Sequence, residues 1–65
     1  MKHYLLRLWE PDWVHMFPER DGVMPKNYTH EEALEQQRFF KDVFWLETKI
    51  VPENEALNYE IPKRN

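Results

Sequence analysis

A chain of 65 residues with no cysteine has neither a disulfide nor a thiolate-held metal to staple it, so burial must hold it together. A globule of this mass hides only about 60% of the surface its unfolded chain exposes, the marginal end of the range for independent folding. One domain over residues 1–65 is the expectation, with 62–65 as a flexible tail, and there is little room for a large substrate cavity. For a chain this small, a partner or a second copy would add useful burial.

Charge narrows the choice of partner. Nine basic residues against twelve acidic ones give a formal net charge of -3. Nonspecific nucleic-acid binding uses a cationic stripe that releases counterions. Here the densest basic run is Lys63-Arg64, so nucleic acid ranks below protein as a partner. Near the start, Arg7 interrupts a short apolar run and no small-residue cleavage site follows, unlike a signal peptide. No stretch approaches the roughly 20 apolar residues of a membrane span. The expectation is a cytoplasmic protein with no membrane partner.

Periodicity supplies the elements. His3 to Trp9 alternates as a strand, with Tyr4, Leu6 and Leu8 on one face and His3, Leu5, Arg7 and Trp9 on the other. Glu10-Pro11-Asp12-Trp13 reads as a turn with proline at its second position, returning a second strand from Trp13 to Phe17. Glu19-Arg20-Asp21-Gly22 is another turn, built on the only glycine. Val23 to Tyr28 holds Pro25 and reads as a connection or short edge strand. Thr29-His30-Glu31-Glu32 is a capping box that opens a helix. Ala33, Phe40 and Phe44 centre its apolar stripe, flanked by Leu34 and Val43. Arg38 falls where it can pair with Glu35 or Asp42. Neither glycine nor proline marks the helix end, so Val43 to Trp45 fits a helix or a strand. Trp45 to Val51 alternates as a strand, Pro52 to Glu55 reads as a turn, and Ala56 to Ile61 as a last strand. The result is an α+β fold: a small antiparallel sheet of about four short strands against one helix, in β-β-α-β-β order.

The residues that usually carry chemistry are scarce. His3, His15 and His30 are too dispersed for metal-ligand spacing, so no metal or cofactor is expected. Serine is absent along with cysteine, and Glu31, Glu32 and Glu35 occupy an exposed first helical turn that would not raise a carboxyl pKa for acid catalysis. An enzyme is therefore not expected, and no catalytic residue is assigned.

Ten aromatics are the stronger signal. They exceed what so small a core can bury, and aromatics left near a surface among charges resemble interface anchors. Phe39 lies about 120° from the centre of the helix stripe, beside the polar face. Trp9 and Trp13 flank the first turn, as an interface or as a cross-strand pair. Trp45 and Arg7 complete the candidate set. The expected function is a protein-binding module, acting as a stoichiometric inhibitor, an adaptor or a small subunit through an exposed aromatic patch. The alternatives are a nucleic-acid-associated regulator, acting as a dimer, and a self-assembling structural subunit. A homodimer through an open sheet edge is compatible with any of them.

Overall fold

A computed structural model describes residues 1–20 and 23–62. The fold is α+β, in the order β1 (His3–Trp9), β2 (Asp12–His15), α1 (His30–Phe44), β3 (Thr48–Pro52) and α2 (Glu53–Ala56). β1 is the central strand of an antiparallel sheet ordered β2-β1-β3. Asp21, Gly22 and the tail 63–65 lie outside the described residues.

The first hairpin is tighter than its sequence suggests. Trp9 pairs with Asp12 and Leu8 with Trp13, so the loop is Glu10-Pro11 alone. The bond between those residues is cis, which places proline third in the turn rather than second. This register puts Trp13 on the Leu8 face and Trp9 on the opposite one. The two indoles therefore do not form a cross-strand pair.

Alternation along β1 divides the core into two layers. On one face Tyr4 and Leu6 pack with Val51 and Ala56, supported by Trp13, Met24 and Tyr59. On the other lies Leu5, also buried. His3 shares that face and sets its ring 5.2 Å from His30, so α1 covers the Leu5 side. α2 and the coil segments carrying Met24 and Tyr59 cover the first face.

His15 ties the second strand to that core. It is fully buried, and its Nε2 lies 2.6 Å from the Ala56 carbonyl oxygen. A carbonyl only accepts, so Nε2 carries the hydrogen and donates it. The Tyr4 ring meets the imidazole edge-on at 5.8 Å. This histidine is a buried, structural residue.

α1 begins as expected. The Glu32 N–H donates to Thr29 Oγ1 and the Thr29 N–H to Glu32 Oε1, closing the capping box. The bond donated by the Thr29 backbone N–H, then that from its hydroxyl, holds the Glu32 carboxyl below its ordinary range. Burial, with the Glu32 charge second, pushes the Tyr28 phenol up. The helix continues through Val43 and Phe44, which resolves that ambiguity in favour of helix.

Two expectations fail beyond this point. The stripe through Ala33 and Phe40 faces the sheet, but Leu34, Val43 and Phe44 remain exposed. β3 begins at Thr48, level with Arg7, and Gln37 of α1 already donates to the Thr48 carbonyl. The last two turns thus run past the end of β3. Among the described residues the fourth strand is also missing: Glu53–Ala56 is one helical turn, and beyond it a parallel bridge joins Val14 to Glu60. This segment meets the outer edge of β2, where the His15 N–H donates to the Glu60 carbonyl at 2.9 Å, and its Tyr59 packs against the first layer.

Two predictions follow from this packing. His15→Ala empties the centre of the first layer and strands the Ala56 carbonyl, so it should cost about 3 kcal/mol in urea unfolding; a loss below about 1 kcal/mol would contradict the role given to His15. Thr29→Ala should cost about 1 kcal/mol. The Glu32 contribution is present above the ordinary carboxylate range and fades as pH falls through its lowered value. An NMR titration should find the Glu32 carboxyl low in the parent chain and back near its ordinary value in Thr29→Ala.

Candidate interaction surface

The overhanging end of α1 gathers most of the exposed aromatic surface. Phe39, Phe40 and Phe44 form a ring cluster with centroids 5.7 Å apart for 39/40, 5.9 Å for 39/44 and 6.1 Å for 40/44. Only Phe40 is half-buried; Phe39 is 48% exposed and Phe44 61%. Val43 adds an exposed aliphatic group. The helical period sets Phe39 outside the stripe, beside the polar face, and its ring is exposed. That period did not show that Phe44 and Val43 join it, because helical angle says nothing about where the sheet beneath ends.

Trp45 closes the helix in an unusual way. Its φ of 57° and ψ of 30° lie in the left-handed region, where glycine is the common choice. The turn lets the Trp45 N–H reach the Lys41 carbonyl and the Leu46 N–H the Phe40 carbonyl, satisfying the last turn. The indole itself is 86% exposed. Lys41 then donates to Glu47 at 2.7 Å, bracing the return into β3. That bond and the lysine charge hold the Glu47 carboxyl below its usual range.

The other sequence candidates separate from this cluster. Arg7 and Trp9 form a pair on the α1 side of the sheet, with the guanidinium carbon 5.0 Å from the ring centroid. Trp9 is 55% exposed and borders a hollow of about 270 Å³ with Glu10, Asp12, Val14, Glu60 and Pro62. Trp13 does not belong to an exposed patch. It packs against the core cluster, and the Lys49 ammonium lies 5.9 Å from its ring and 5.7 Å from that of Tyr59. The two-residue turn accounts for this correction, since it sets Trp13 opposite Leu8.

Among the described residues, no group of three or more His, Asp or Glu side chains is placed to hold a metal ion, and no helix is long and apolar enough to cross a membrane. The chain matches no family model, no curated protein and no solved structure.

The backbone at Trp45 bears on stability. A left-handed backbone costs a non-glycine residue about 1 kcal/mol or more, and a largely exposed indole recovers little of it. Trp45→Gly should therefore raise the melting temperature or leave it unchanged. A clear fall would show that the indole supports the fold.

Proposed function

We infer that the protein is a binding module that engages another protein through the end of α1, with Trp45, Phe44, Val43 and Phe39 as its anchors. The observation that supports this most is Trp45: a large aromatic, set in water, at a backbone position where folding favours glycine. Strained, exposed positions of this kind point to function more often than to stability. The neighbouring rings give such an anchor the clustered, apolar setting of an interface hot spot.

The module acts by occupying a groove on its partner, as an inhibitor, an adaptor or a small subunit, and it performs no chemistry of its own. Asp42 and Glu35 lie along one flank of the exposed stripe and Lys41 along the other. A groove with a basic rim on the first side is the best match. The nucleic-acid alternative draws less support, because Glu10, Asp12 and Glu60 surround the exposed face of Trp9 and would repel phosphate.

The test is capture from nuclease-treated lysate with tagged protein, followed by mass spectrometry. The parent chain and Trp9→Ala should retain one stoichiometric partner, and Phe44→Ala and Trp45→Gly should lose it while remaining folded by circular dichroism. Equal capture by all four proteins, or a partner lost only with Trp9→Ala, would overturn the assignment.

A further inference from the structure

β3 borders the sheet, and no strand lies along its outer edge among the described residues. Leu8 donates its N–H to the Glu47 carbonyl, and Glu53 donates to that of Lys2. Antiparallel alternation therefore directs Lys49 and Val51 toward β1, and turns the backbone groups of Thr48, Ile50 and Pro52 outward. Two outward positions are already closed: the Thr48 carbonyl accepts Gln37 Nε2 at 3.0 Å, and Pro52 has no N–H. The Thr48 N–H and both groups of Ile50 remain open, while the Pro52 carbonyl, as the N-cap of α2, accepts the first bond of that turn and keeps one lone pair.

We propose that this edge pairs with the same edge of a second copy of the chain, antiparallel, about a two-fold axis at Ile50. Ile50 then exchanges both hydrogen bonds with its counterpart. The Thr48 N–H of each copy meets the remaining lone pair of the other's Pro52 carbonyl. The two closed groups fall opposite one another, so the missing donor of Pro52 faces the one carbonyl that Gln37 has already satisfied. Every open group finds a partner in this register. Centring the axis on Pro52 would oppose two residues without donors, and centring it on Thr48 would set its carbonyl against the Gln37 bond.

The helices fit the same axis. α1 lies over β1 and β3, and strands are about 4.8 Å apart, so each helix sits about 5 Å from the axis and the pair about 10 Å apart. Packed helices are about 8–10 Å apart. His30 stands beside His3, which pairs with Pro52, and Gln37 reaches Thr48. Leu34, midway between them and 47% exposed, is therefore level with Ile50 and meets its counterpart near the axis. One turn further, Arg38 meets Glu31 of the other helix, in both directions. Both residues are exposed, and the pairs expected between Arg38 and Glu35 or Asp42 are not among the ion pairs formed. The C-terminal ends of the helices point to opposite ends of the dimer and leave both aromatic clusters free. The proposal thus stands apart from the binding role given to those clusters.

Sedimentation velocity on the full chain should give twice 8.1 kDa at high concentration. In hydrogen exchange, the outward Ile50 amide should be protected in that dimer. Leu34→Glu should weaken association by roughly tenfold or more and expose the Ile50 amide, while β1 amides stay protected. Arg38→Glu should weaken the dimer, and Glu31→Arg added to it should restore it. A mass of 8.1 kDa at every concentration, a dimer indifferent to Leu34→Glu, or an unprotected Ile50 amide in the dimer would each overturn the proposal.

Discussion

Among the described residues, β1 alone has a strand on both edges, and the rest of the molecule is placed by it. Its odd-numbered residues turn their backbone groups toward β2 and Tyr28, and its even-numbered ones toward β3. That alternation also sorts its side chains, sending Tyr4 and Leu6 into one layer and Leu5 into the other. In so short a chain, one strand thus organises both layers. The layers are thin: besides Tyr4, Leu5 and Leu6, the buried hydrophobic residues are Ala33, Val51 and Ala56. His15 supplements them by joining β2 to α2 through a hydrogen bond that excludes water.

What lies beyond the reach of β1 is left to water. α1 starts over His3 and passes Thr48 at Gln37, so its final turns have no β3 beneath them. Rings that would complete a stripe over a longer sheet stand exposed instead. The three-residue return from Trp45 to Glu47 fixes this geometry, because β3 must start close to where the helix ends. The Lys41–Glu47 bond braces the return, and the left-handed turn at Trp45 makes it possible.

Much of this was legible in the chain itself. The capping box at Thr29, the alternation of His3 to Trp9 and the marginal position of Phe39 all follow from local chemistry and period. The failures have a common origin in register. A turn one residue earlier than expected moved Trp13 from an expected interface into the core and left Trp9 beside Arg7. The apolar alternation of Leu57, Tyr59 and Ile61 resembled a strand, but the helical turn Glu53–Ala56 takes the chain off β3, and the segment meets β2 through the isolated bridge from Glu60 to Val14. Phe44 and Val43 looked buried because a helical wheel carries no information about the length of the sheet below. The exposed indole of Trp45 was within view as a candidate; its left-handed backbone was not.

The three tryptophans stand in three different settings: Trp13 packed against the core cluster, Trp9 stacked with Arg7, and Trp45 exposed at the helix end, where we propose that it meets a partner. Acrylamide quenching of variants that each retain one tryptophan tests this division directly. The Trp45 emission should be the most red-shifted and the most readily quenched in the free protein, and that of Trp13 the least. A shielded, blue-shifted Trp45 in the free chain would contradict the account, since that indole would then belong to the fold.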